Sequence, residues 1–278
     1  GLVPSRRSLV FTESSSIKLA LLALMTYVGV GLHELGHVVA AKAVGTPARI
    51  GIGHRMWMLV AEADLTALWS VPREKRYFPL LAGPLVDLVS GSLVILVLSG
   101  ARQGYYDLPD PAIDLLQAWT FVYLLALIFQ CFFFVRTDFY YVFANRFNCK
   151  NLMGDTVAWL RQQAKRWLPG GSSQGDEPLQ IPPGELRIVR GYAVFWIVGR
   201  LVALAFLFLV TLPVLIEYLV LIGNVLDPRA QVTTYQRLDA FVTGLVVVGP
   251  LCVGITLWLR SLYSSWRLRN ERATTTGP

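Results

Sequence analysis

The stretch Gly29-Val30-Gly31-Leu32-His33-Glu34-Leu35-Gly36-His37-Val38-Val39-Ala40-Ala41-Lys42-Ala43-Val44-Gly45 decides how the chain is read. It is almost uncharged, yet it holds two of the three histidines of the chain four residues apart, with a glutamate beside the first. On a helix, residues at i and i+4 share a face, so both imidazoles can reach one metal ion while Glu34 is placed to take a proton from an attacking water. Two basic rings and a carboxylate inside an apolar span are costly without a partner, which argues against two ordinary core histidines.

The surroundings of the motif fix the fold class. The chain of 278 residues is 54% hydrophobic and only 15% charged, with a mean hydropathy of +0.52, which excludes an ordinary water-soluble domain. Apolar stretches of about 20 residues recur, each long enough to cross a bilayer as a helix. The expected fold is an all-α polytopic membrane protein with about five transmembrane helices and a small membrane-associated β-hairpin after the first helix. The formal charge of +7 does not point to nucleic acid, because the basic residues sit in the connections between apolar stretches. Cys131, Cys149 and Cys252 are too few and too scattered for a disulfide framework and show no CxxC spacing.

In chain order, residues 1–16 form a polar N-terminal segment, and residues 17–150 form the membrane core. Its first helix, 17–44, spans about 42 Å and puts His33 about 24 Å from its start. Gly29, Gly31 and Gly36 are a conceivable water path beside that helix. Within 46–72, Ile50 and Ile52 alternate with glycines and a second apolar run follows from Met56, so one or two short strands are expected at the membrane interface or against protein. This hairpin is either a strand edge that captures an unwound substrate segment or a tethered loop. His54 lies in it, as a surface residue or as a neighbour of the metal. The second span, 77–98, contains Ala82-Gly83-Pro84 and Asp87; small residues there favour close packing on the first helix. Asp87 is either functional or a hydrogen-bonding group within the bundle.

The third span covers 113–135 and runs into Arg136-Thr137-Asp138-Phe139-Tyr140-Tyr141. Residues 151–168 are expected as an interfacial amphipathic helix, with Met153, Val157, Leu160, Ala164 and Trp167 in one stripe. Residues 169–185, rich in Gly, Ser and Pro, read as a flexible linker. Residues 186–278 hold the C-terminal membrane helices: an apolar stretch over 192–222, tilted or kinked at Pro213, and a span over 238–259 followed by a basic tail.

Charge then orients the bundle. With five spans, one side takes Arg49, Arg55, Arg73, Lys75, Arg76, Arg136, Arg146, Lys150, Arg161, Lys165, Arg166, Arg187, Arg190, Arg260, Arg267, Arg269 and Arg272. The other takes Arg6, Arg7, Lys18, Arg102, Arg229 and Arg237, a balance of 17 against 6. The first side is therefore read as cytoplasmic, in what is expected to be the plasma membrane. The first and third spans then run in the same direction, and the histidine motif and Asp138 fall at one level near that face. Catalytic zinc takes three protein ligands and keeps one position for water, so His33, His37 and Asp138 are the expected metal ligands, Zn2+ the expected cofactor and Glu34 the catalytic base.

The combination of His-Glu-Leu-Gly-His in the first core helix, Gly83-Pro84 in the next span and an aspartate at the end of the third resembles the site-2 protease family of intramembrane zinc metallopeptidases. The resemblance covers about residues 17–150. It implies a three-helix catalytic core that cleaves membrane-embedded or membrane-adjacent proteins or peptides, with ligands His33, His37 and Asp138 and catalytic Glu34. Where that family commonly has Asn-Pro-x-x-x-Leu-Asp-Gly, this chain has Phe-Phe-Phe-Val-Arg-Thr-Asp-Phe-Tyr-Tyr, in the manner of a divergent branch. The family asparagine has no clear counterpart; Gln130, Arg136 and His54 are the available substitutes. Two other functions fit the same residues: a membrane peptidase maturing or degrading small secreted peptides, and a non-proteolytic metal-binding scaffold or transporter.

Overall fold

The computed structural model describes residues 15–167, 181–227 and 233–275. The N-terminal segment before Ser15 and most of the expected linker lie outside the described residues. Among them, five helices are long and apolar enough to cross a membrane: Ala20–Ala43, Arg73–Arg102, Asp110–Phe129, Gly184–Val225 and Thr234–Ser264. Large apolar side chains stay exposed along them, including Leu24, Leu96, Leu209 and Leu245. Such continuous apolar surface suits lipid and is unfavourable in water. The chain is an all-α polytopic membrane protein with one small two-stranded antiparallel hairpin after its first helix.

The first helix, α1 (Ser15–Ala43), packs along α2 (Arg73–Arg102), and both touch α3 (Asp110–Phe129). The α1–α2 seam is close because a glycine stands at its centre. A Cβ on Gly36 would lie 2.8 Å from Val86 Cγ2 and 3.2 Å from the Ala82 carbonyl oxygen. With no hydrophobic drive between helices in lipid, such approach of backbones is what supplies packing energy. Of the glycines expected to leave a water path, Gly36 is closed by α2, whereas Gly29 faces the Tyr123 hydroxyl, 3.2 Å from where its Cβ would be, and lines a cavity that reaches His33 and Glu34. Gly31 alone of the three faces open space.

Between α1 and α2 lies the hairpin, β1 (Arg49–Arg55) paired with β2 (Met58–Asp64) in the register Arg49↔Asp64 to Arg55↔Met58. Its tight tip places Met56 at φ 56°, and Met56 and Trp57 are buried against the C-terminal helices. A short 3-10 turn, Thr66–Ser70, returns the chain to α2. There Arg76 donates to the carbonyls of Val71 (2.8 Å) and Trp69 (3.1 Å) and to Asn145 Oδ1 (3.4 Å), which ties the connection to the following helices.

The third span ends at Phe129, earlier than its apolar composition suggests. A 3-10 turn, Phe133–Val135, and Arg136 in the left-handed region break it, so Asp138 opens a new helix, α4 (Asp138–Arg146). Next, α5 (Leu152–Trp167) rests on α6 (Pro183–Phe206), with Leu152, Met153, Val189, Tyr140 and Tyr192 forming a buried cluster. Residues 183–185, expected at the end of the linker, belong to α6. The long fourth apolar stretch passes through a π-helical turn at Leu207–Thr211 just ahead of Pro213 and continues as α7 (Leu212–Leu226). A second π-turn, Gly244–Val248, joins α8 (Thr234–Thr243) to α9 (Gly249–Thr275), and the basic tail is a continuation of that last helix. Such turns are a recognised cause of helix kinks.

Candidate metal centre

The antiparallel register of α1 and α2 builds the site. On α1, His33 and His37 are one turn apart on one face; on α2, Pro79, Gly83 and Asp87 repeat every four residues along a single stripe. The two stripes meet. His37 Nδ1 lies 2.7 Å from the Pro79 carbonyl oxygen, and His33 Nδ1 lies 2.7 Å from Asp87 Oδ2. A carbonyl can only accept, so His37 donates through Nδ1; a carboxylate imposes the same tautomer on His33. Each ring is left with its Nε2 lone pair facing the other.

Into that gap comes Asp138. Its Oδ2 is 3.0 Å from His33 Nε2 and its Oδ1 is 3.3 Å from His37 Nε2, while the two Nε2 atoms are 3.2 Å apart. Three electron-rich groups, two Nε2 lone pairs and a carboxylate, in mutual contact need a positive charge among them, a proton or a metal cation. Their spacing fits a cation: ligands about 2.0–2.1 Å from a tetrahedral centre lie about 3.3 Å from one another. Space is kept for it on the α2 side, since a Cβ on Gly83 would run into both Nε2 atoms. His33, His37 and Asp138 form the group among the described residues able to hold a metal ion.

Asp138 is held in place from behind. Gln130 accepts the Asp138 backbone N–H on its Oε1 (3.0 Å), and its own carbonyl accepts the Thr137 hydroxyl (2.6 Å). The paired tyrosines part company. Tyr140 is buried beside Tyr192 and accepts the Met153 N–H at 3.0 Å, with its phenol pushed up to about 12 by burial, whereas Tyr141 lines a cavity at the site.

Glu34 stands beside the three ligand groups, its Oε1 4.0 Å from His33 Nε2. Its Oε2 accepts the Ala63 backbone N–H of β2 at 2.6 Å. Glu34 is thus fixed by the hairpin, with one oxygen left toward the histidines. Two cavities meet here. One of about 430 Å³ is lined by Glu34, His37, Arg49, Glu62, Asp64, Asp138 and Tyr141, among others. The other, about 690 Å³ and more apolar, is lined by Tyr27, Val30, His33, Glu34, Trp119, Val122, Phe129 and Gln130, among others.

His54 takes no part: its Nδ1 lies 3.1 Å from the Met56 carbonyl oxygen, within the hairpin tip. Asp87 does, and the four-residue stripe Pro79-Gly83-Asp87 was the signal for it, a carbonyl, a gap and a carboxylate facing two histidines at the same spacing. Comparison with family models, with curated proteins and with solved structures finds no match to this chain.

Proposed function

We propose that this protein is a zinc-dependent endopeptidase that cuts membrane-embedded or membrane-adjacent proteins or peptides. The observation that carries the reading is the meeting of His33, His37 and Asp138, from two separate helices, with Glu34 between them and two cavities. The resemblance to site-2 proteases points the same way. Zinc bound there would supply Lewis acidity, lowering the pKa of water toward 7 and polarising the scissile carbonyl.

The chain's own residues do the rest. Asp87 and the Pro79 carbonyl keep both Nε2 atoms unprotonated and aimed inward. The Glu34 carboxylate takes the proton from the attacking water and delivers it to the departing amine nitrogen, so one C–N bond breaks as one C–O bond forms. The apolar cavity beside α3 suits the apolar part of a substrate, and the polar cavity on the hairpin side suits water and the released end. Among the described residues the hairpin has two strands, and since Glu34 takes the outward Ala63 N–H of β2, β1 is the edge to which an extended segment can add. The excess of basic residues on one side supports a centre near the cytoplasmic face, and the membrane we propose is the plasma membrane.

Glu34→Gln tests the mechanism. The variant should keep its metal and lose cleavage, with uncut proteins or peptides accumulating in a comparative membrane proteome. Cleavage at the full rate would overturn the role of Glu34. Metal retention with no accumulated substrate, together with metal flux in proteoliposomes, would replace the peptidase by a transporter.

A further inference from the structure

We propose that Arg55, at the passage between the two cavities, is a further catalytic residue: its guanidinium donates hydrogen bonds to the carbonyl oxygen of the bond being cut as negative charge develops there. The inference rests on the peptidase reading above.

Glu34, Ile52, Arg55 and Asp138 line both cavities. A chain lying in both cavities has to pass them. Glu34 is the proposed base and Asp138 a proposed ligand, so the reacting carbonyl belongs at this same passage. Ile52 offers it only an apolar side chain, which leaves Arg55 as the one cation common to both linings. A group at the passage meets the middle of a bound chain, so its partner there is a peptide carbonyl and not a terminal carboxylate.

The hairpin presents Arg55 and leaves it uncommitted. In the strand register, Arg49, Gly51, Gly53 and Arg55 share one face with Asp64, Glu62, Val60 and Met58. The glycines keep that face bare between the two arginines, and Glu62 uses the room: a Cβ on Gly53 would lie 2.6 Å from its Oε1. Laid over Gly53, the Glu62 carboxylate comes within 3.9 Å of Arg55 Nη2, which steers the guanidinium by charge but is too long for a hydrogen bond. The Glu62 side chain is half exposed, so this pair is weakly held. Among the described residues, no N–H of Arg55 has a hydrogen-bond partner, and none is shut away from solvent.

Attack on the carbonyl carbon moves the C=O π pair onto the oxygen. Arg55 stabilises that charge through its permanently protonated, planar fork and transfers no proton. The pair returns to carbon as the C–N bond breaks and Glu34 delivers its proton to the amine. A hydrogen bond that strengthens as the charge grows lowers the barrier more than it tightens ground-state binding.

The test loads the full chain, in detergent, with Co2+ and titrates the visible absorption of the ion with methylphosphonate, a tetrahedral anion, and with imidazole, a neutral ligand. Arg55→Gln should bind cobalt and imidazole as the wild type does and bind methylphosphonate about tenfold or more weakly. Arg55→Lys, which keeps the charge without the fork, should fall between the two. Equal methylphosphonate affinity in wild type and Arg55→Gln overturns the proposal. So does a parallel loss of both ligands, which would make Arg55 a support of the hairpin. A wild type that binds no cobalt would overturn the metal centre, and this proposal with it. Whether Glu34 cuts peptides is decided separately, by the Glu34→Gln comparison.

Discussion

Asp87 Oδ2 lies 2.7 Å from His33 Nδ1, so a carboxylate on the second helix of the bundle sets the tautomer and tilt of a ligand on the first. Such partners of a ligating histidine are worth about 10–100-fold in metal affinity. Asp87→Ala should lose affinity by that factor in a chelator competition. Asp87→Asn, whose amide oxygen still accepts from Nδ1, should lose less. Equal affinity in all three proteins would remove Asp87 from the site.

Gly83→Ala should be far more damaging than its size suggests. The added methyl would meet both Nε2 atoms, with no neighbouring side chain free to give way. A cost of about 1–3 kcal/mol is typical of overpacking, and metal stoichiometry should fall with it. Gly31→Ala is the control on the preceding helix, since nothing lies within 4 Å of the new Cβ. It should be neutral within about 0.5 kcal/mol. Matching melting temperatures and metal contents for the two variants would contradict the site geometry.

Ala63→Pro removes the N–H that holds Glu34 and leaves every metal ligand untouched. Metal content should be unchanged while turnover drops by about tenfold or more, a fraction of what general-base catalysis supplies. Loss of metal in this variant would mean that the hairpin acts on the ligands and not on the base.

Acid should strip the metal. Bound imidazoles must be neutral and Asp138 ionised, so protons compete with the metal for the same ligand atoms. Affinity therefore falls as the pH is lowered, and the stability that the metal confers falls in parallel. Metal occupancy followed from neutral to about pH 5 should decline identically in wild type and Glu34→Gln, since Glu34 is not a ligand. A pH-independent occupancy would rule out histidine ligation.

Much of this site is written locally. The four-residue spacing of His33 and His37 and their apolar setting are visible in the sequence, and the charge balance of the connections puts Asp138 at their level. What places Asp87 opposite His33, and not against lipid, is the register of α2 along α1. Periodicity within one helix does not encode that register; the contact of Gly36 with Ala82 and Val86 does. The hairpin was legible because glycines alternate with Ile50 and Ile52. Its hold on Glu34 through a backbone N–H was not, since every residue but proline carries that donor. The π-turns at Leu207–Thr211 and Gly244–Val248 lie in segments apolar on all sides, where a slip of one residue leaves no trace in the pattern. The early end of α3 depends on Arg136 accepting a left-handed turn that its residue type does not announce.

The floor of the metal centre is a hydrogen atom. Because Gly83 presents no side chain, the room beside the two Nε2 atoms is set by how close the α2 backbone stands to them. An ion held by His33 and His37 from α1 and by Asp138 from α4 would tie those two helices together along that backbone. Helix spacing and ion affinity would then be two readings of one equilibrium, and a lipid or substrate that wedges α4 from α1 would loosen the ion by the same free energy.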